Sequence, residues 1–158
     1  MLTLRDARPE DAVLILEFIR ELADFERLTH ECVADAALLR KFLFADKRAE
    51  ALVAEWDRAP AGFALYFYNF STFLGRPGLY LEDLFVRPAF RRKGIARTVF
   101  RHLAKKALAE GCGRMEWAVL NWNENAIALY RAMGAKPMDE WTVQRLTGEA
   151  LHRLANEG

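Results

Sequence analysis

Apolar residues follow two different periods along this chain, and the changes of period mark its elements. Leu2 to Arg5 alternates weakly and predicts a first strand. Asp6 to Asp11 carries turn and helix-start signals, with Pro9 suited to a first helical position. Leu14, Leu16, Phe18, Ile19, Leu22 and Phe25 then recur at broadly helical spacing. Asp35 to Phe44 predicts a second, short helix. Ala51 to Trp56 and Gly62 to Phe70 predict two hairpin strands joined by a tight connection at Pro60. Ser71 to Gly78 reads as a loop, and Leu79 to Val86 (LYLEDLFV) as an apolar strand interrupted by Glu82 and Asp83.

Downstream the helical period dominates. Ile95, Val99, Leu103 and Ala107 repeat every four residues, which predicts a helix to about Glu110, stopped by Gly111 and Gly113. Arg114 to Leu120 reads as a strand. Asn123 suits the cap of a helix running to Met133, with Gly134 beyond its end. Trp141 to Leu146 reads as a last strand and Thr147 to Ala155 as a closing helix. The order is that of an α/β protein: meandering strands first, helix crossovers later. With 158 residues the chain is expected to form one domain, 1–158.

Composition narrows the class. Hydrophobic residues are 53% and charged residues 28%, so a packed core is expected rather than disorder. No apolar run approaches the length of a membrane span, and MLTLRDARPED lacks the basic-then-apolar pattern of a secretory leader. Cys32 and Cys112 suit two buried or partly buried thiols, and a cytoplasmic setting is expected. His30, His102 and His152 have no metal-ligand spacing and read as surface residues, so no metal is expected.

The net charge of +1 conceals a segregation. Met1 to Asp35 holds nine Asp/Glu against four Lys/Arg, whereas Leu84 to Ala109 holds eight basic residues and no acidic one. A fold that joins these regions has an anion-attracting and a cation-attracting side; two solvated helix faces explain the same counts.

The segment richest in chemistry is V-R-P-A-F-R-R-K-G-I-A, Val86 to Ala96. A strand ends, a basic loop with one glycine follows, and a helix begins. Backbone N–H groups at a helix start, with the helix dipole behind them, attract anions. Gly94 lets the backbone approach a phosphate closely, and Arg91, Arg92 and Lys93 add charge. Neither a GKS/GKT phosphate loop nor a G-x-G-x-x-G dinucleotide loop is present. The physical reading is a pyrophosphate site; a basic helix start on the surface is the plainer one.

R-R-K-G-I-A resembles the Q/R-x-x-G-x-G/A signature of the GNAT family of acetyl-CoA-dependent N-acyltransferases. L-Y-L-E-D-L-F-V, N-W-N-E-N-A-I-A-L-Y-R-A-M-G-A (Asn121 to Ala135) and E-L-A-D-F-E (Glu21 to Glu26) resemble its spermidine/spermine and thialysine acetyltransferase branch. The resemblance implies a GNAT-type fold with a mixed central sheet and flanking helices, acetyl-CoA as co-substrate, a small-molecule amine as partner and a homodimer. It implies that the amides of Phe85 and Val86 pair with the pantetheine arm. Arg91, Arg92, Lys93, Gly94, Ile95, Ala96 and Arg97 would hold the pyrophosphate, and Asn123 and Asn125 the other side of the arm. Glu82 stands at the position of the general base, Tyr130 at that of the tyrosine facing the coenzyme sulfur, and the Leu84 amide is a candidate donor to the thioester carbonyl. Asp24, Phe25, Glu26, Glu82, Asp83 and Trp117 would line the acceptor side. Plainer readings stand beside these: Asp24 and Glu26 as solvated helix-end charges, Trp117 as core packing.

The departures touch the acceptor. Ala96 replaces the second glycine of the loop, Phe25 stands where polyamine enzymes often have tyrosine, and Asp24 where a lysine can occur. Thialysine, another small diamine, an amino acid, a protein lysine and an antibiotic-like amine therefore all stay open as acceptors. Two other functions compete: a non-catalytic acetyl-CoA-binding sensor, and nucleic-acid binding through a stripe of Arg97, Arg101 and Lys105. Retained Glu82 and Tyr130 oppose the first, and no nucleic-acid partner is expected.

Overall fold

The computed structural model describes all residues, 1–158. Two compact parts emerge, Met1–Ala118 and Val119–Gly158. The first holds a five-stranded sheet in the order β1 (Leu2–Asp6), β2 (Glu50–Trp56), β3 (Ala59–Ser71), β4 (Arg76–Val86), β5 (Met115–Glu116). Neighbours are antiparallel except β4 and β5, which run parallel across the helical crossover α3 (Ile95–Ala109). The sheet is therefore mixed, as expected.

α1 (Ala12–Phe25) buries Ala12, Ile15, Leu16, Phe18 and Leu22. Ile15, Phe18 and Leu22 join Phe63 and Phe85 in one core cluster, where the Phe18 and Phe63 rings stack 5.4 Å apart. α3 packs on β4 and buries Ile95, Val99, Leu103 and Ala107, the four-residue repeat visible in the sequence. The second helix covers its predicted span but changes type within it: α2 spans Ala36–Leu39 and widens into a π-helical turn over Arg40–Ala45. Strand β4 is longer than predicted. It begins at Arg76 because the turn after Ser71 closes early, with Gly75 N–H donating to the Ser71 carbonyl.

Gly62 is required by close packing. A Cβ there would lie 2.3 Å from the Phe85 carbonyl oxygen, so β3 crosses the end of β4 without a side chain in the way.

The second part contains α4 (Glu124–Ala132) and α5 (Gly148–Ala155) and no residue of the buried class. Two strand expectations fail. Arg114 to Leu120 forms only the two-residue β5, and Trp141 to Leu146 forms no strand. A strand needs a ladder partner for its backbone groups, and neither apolar content nor alternation supplies one. No helix is long and apolar enough to cross a membrane. Cys112 is buried and Cys32 half-buried, and all three histidines are exposed, as expected.

Candidate active site

The register of β3 on β4 shapes this end of the first part. Leu65 pairs with Asp83, but Tyr66 pairs with Leu81, so Glu82 is an extra residue in the ladder. Such a β-bulge breaks strict alternation and re-aims the side chains beside it. Simple alternation would send Glu82 and Asp83 to opposite faces; the bulge removes that requirement.

Further along, Arg87 N–H donates to the Ala61 carbonyl at 2.8 Å. In an antiparallel pair this phase repeats every second residue. Phe85 and Asp83, paired with Phe63 and Leu65, thus turn their amides toward β3. Leu84 and Val86 turn theirs to the opposite edge. There β5 pairs only with Leu79 and Tyr80, so the edge from Leu81 to Val86 is open. The Phe85 ring thus belongs to the core and its amide faces β3, while the amides of Leu84 and Val86 face the other edge.

The loop after β4 has the backbone of an anion site. Arg92 (φ +64) and Gly94 (φ +76) are both left-handed, and α3 starts at Ile95 with no side-chain cap. The N–H groups of Ile95, Ala96 and Arg97 belong to the first helical turn, which lacks intrahelical acceptors. Thr98 N–H is the first to find one, the Gly94 carbonyl. A Cβ on Gly94 would meet nothing within 4 Å, so the concave side there is open. These donors and the three flanking cations fit a pyrophosphate.

Not every basic residue nearby serves that anion site. Arg87 donates to the Glu21 carboxylate through Nε (3.1 Å) and Nη2 (2.9 Å), lies 3.4 Å from Glu17, and covers the Phe18 ring. The acidic and basic regions of the sequence meet here, and the meeting is structural. Lys93 Nζ sits 4.9 Å from the Trp56 ring centre. Arg91 Nε donates to the Val86 carbonyl at 2.9 Å, and its guanidinium lies over Phe25 and Phe85. The sequence contains no short-range signal for these pairings.

Glu26, Glu82 and Asp83 form an acidic group. Burial, reinforced by Glu82 and Glu26, pushes the half-buried Asp83 up to about 6. Burial also raises Glu26. None of the chain's ion pairs uses these three carboxylates. The Asp24 carboxylate accepts from the Thr29 hydroxyl just past α1. Trp117 packs against Phe100 with ring centres 4.8 Å apart.

In the second part, Asn123 caps α4 as predicted, its Oδ1 accepting from Ala126 N–H at 3.3 Å. Asn125 is exposed, and Tyr130 is half-buried in the same helix, two turns from the cap.

Comparisons with known proteins agree with this geometry. The acetyltransferase (GNAT) family matches residues 16–135. A thialysine N-epsilon-acetyltransferase from Caenorhabditis elegans is 40% identical over 152 residues, covering 94% of each chain. An L-ornithine N5-acetyltransferase from Arabidopsis thaliana is 33% identical, covering 96% of this chain and 86% of its own. An integron cassette protein from V. cholerae shares the fold, with a TM-score of 0.82 at 24% identity over 99% of this chain and 98% of that one. A bulged strand with an open edge, an uncapped basic helix start and near full-length similarity to acetyltransferases lead to one conclusion: this chain belongs to the GNAT acetyltransferase family and is an acyltransferase.

Proposed function

We propose that this enzyme transfers an acetyl group from acetyl-CoA to one amine of a small diamine or diamino acid, of the thialysine or ornithine kind. The observation that carries this reading is the group of Glu26, Glu82 and Asp83, in which burial and the two neighbouring carboxylates raise Asp83 to about 6. An acceptor with two ammonium groups matches it: one is held as a cation, the other loses its proton and reacts. The names of the thialysine and ornithine acetyltransferases point the same way.

On this reading the two parts work as one catalytic domain, 1–158. The open-edge amide of Val86 binds the peptide-like pantetheine arm, as an added strand pairs with a sheet edge. The amides of Ile95, Ala96 and Arg97, with the backbone at Arg91 and the charges of Arg92 and Lys93, hold the pyrophosphate. Asn123 and Asn125 hold the arm on its other side. Acetyl-CoA supplies an acetyl group already activated as a thioester.

An alkylammonium of pKa about 10.4 is only about 0.04% free amine at pH 7, a deficit of roughly 4.6 kcal/mol. Glu82, exposed at the bulge, takes the proton from the acceptor directly or through water. Asp83 is a second candidate for that role, favoured by a pKa of about 6, nearer the working pH. The Leu84 N–H donates to the thioester oxygen as negative charge develops there. Tyr130 gives its proton to the departing sulfur. No side chain carries the acetyl group.

The enzyme is also read as a cytosolic homodimer. Exposed Phe70 on β3 in the first part, and separately exposed Trp141 and Val143 in the second, are apolar contacts available to a second copy, and gel filtration with light scattering tests this.

The function is tested by CoA release from acetyl-CoA with thialysine, ornithine, spermidine, putrescine, lysine, an aminoglycoside, a lysine peptide and butylamine. A small diamine or diamino acid should exceed butylamine by at least about tenfold in kcat/KM, about 1.4 kcal/mol. CoA binding without turnover on any amine would favour the sensor. A preference for the aminoglycoside or the peptide would move the acceptor outside the diamine class.

A further inference from the structure

Helix α1 is fastened to the coenzyme end of β4 at two places that differ in kind. Arg87 makes a multidentate pair with Glu21, touches Glu17, donates to the Pro60 carbonyl and covers Phe18. That anchor holds the middle of α1. Arg91 holds its end. The Arg91 guanidinium lies 4.9 Å from the Phe25 ring centre and 5.7 Å from that of Phe85, while its Nε is tied to the Val86 carbonyl.

The end of α1 is the weaker of the two. The helix closes through Leu28 N–H donating to the Ala23 carbonyl, with Arg27 at φ +59. Helices usually place glycine in that left-handed position; another residue costs on the order of 1 kcal/mol. The last turn buries Leu22 but leaves Phe25 40% exposed. Yet it carries Glu26, one of the three acceptor carboxylates, beside the aromatic ring that Arg91 covers.

We propose that Arg91 is a positioning residue: an occupied phosphate loop holds its guanidinium in place, and the guanidinium in turn fixes the Phe25–Glu26 end of α1. The inference rests on the reading of the loop and of the acidic group given above. Arg91 begins the loop, so an anion bound at the start of α3 fixes its backbone. The Val86 carbonyl fixes Nε. With both ends held, the guanidinium plane becomes a rigid seat for the Phe25 ring. Acetyl-CoA binding thereby sets the place of a carboxylate that binds the other substrate.

Amide hydrogen exchange tests this without knowledge of the acceptor. Exchange at Glu26, Arg27 and Leu28 is followed in the full chain, with and without saturating CoA. CoA should slow exchange there about fivefold or more in the wild type. Phe25→Tyr keeps a ring under the guanidinium and should preserve the effect. Phe25→Leu, and Arg91→Lys, which keeps the charge but loses the plane, should reduce it to less than about twofold. The loop from Arg91 to Arg97 should still slow with CoA in the Phe25 variants. Slowing confined to the loop in the wild type overturns the proposal and leaves the loop reading intact. Undiminished slowing at Glu26 in both Phe25→Leu and Arg91→Lys also overturns it. No slowing in either place removes the loop reading and the proposal with it.

Discussion

Two carboxylates in the first part sit in opposite surroundings. Asp11 faces Arg5, whose Nη1 and Nη2 donate to both its oxygens at 2.8 and 2.9 Å, while Arg5 Nε also pairs with Glu55. That guanidinium, with the Arg8 amide, holds Asp11 below the usual carboxylate range. Asp83 instead faces Glu82 and Glu26, and its burial pushes it up to about 6. The first cluster is complete within the protein and joins β1, β2 and the start of α1. The second gathers like charges around a partly buried carboxyl group. Functional sites gather such perturbed groups, and a ligand cation suits them.

The comparison yields predictions that descend in size. Asp83→Asn should lower kcat/KM for the amine by about 100-fold or more, read by CoA release, because the acceptor loses its partner or its base. A loss below about threefold would place the acceptor elsewhere. Arg5→Met should destabilise the fold by about 1–2 kcal/mol in urea unfolding at pH 7, by leaving Asp11 and Glu55 unpaired. The sign with pH follows from Asp11. Its folded pKa is lowered, so its stabilisation is present above the unfolded value of about 3.9 and fades as pH falls. The gap between Arg5→Met and wild type should therefore narrow toward pH 3.

Asp83 has the reverse sign. Its folded pKa is raised, so the penalty of its burial grows as pH rises from the unfolded value of about 3.9 to the folded value of about 6 and is complete above it. Asp83→Asn should be about 1 kcal/mol more stable than wild type at pH 8, discounted for partial exposure, and no more stable at pH 4. The same variant thus gains stability where it loses activity. The smallest effect concerns Glu26, at the edge of the group: Glu26→Gln should raise KM for the amine about threefold and leave kcat nearly unchanged.

Much of this was legible before the structure. The repeat of Ile95, Val99, Leu103 and Ala107 marks α3 because one buried face imposes its period on the sequence. The loop from Arg91 to Gly94 is legible because a left-handed turn at a helix start favours glycine. The bulge at Glu82 is not, since a ladder register depends on a partner strand at distant positions. For the same reason Trp141 to Leu146 reads as a strand and forms none. Arg87 counts as one more cation in the sequence, yet Glu21, 66 residues away, takes it. Local pattern reports helix faces and turn chemistry; long-range pairing of charge and strand edges it does not report.

The most direct test of the account is the pH dependence of kcat/KM for the preferred amine, in wild type and in Asp83→Asn. The account predicts an acidic limb with an apparent pKa near 6 in the wild type, activity falling below it as Asp83 takes a proton, and no such limb in the variant. The same limb in both proteins, or a wild-type profile flat from pH 5 to 7, would contradict the claim that this carboxylate waits for the acceptor cation.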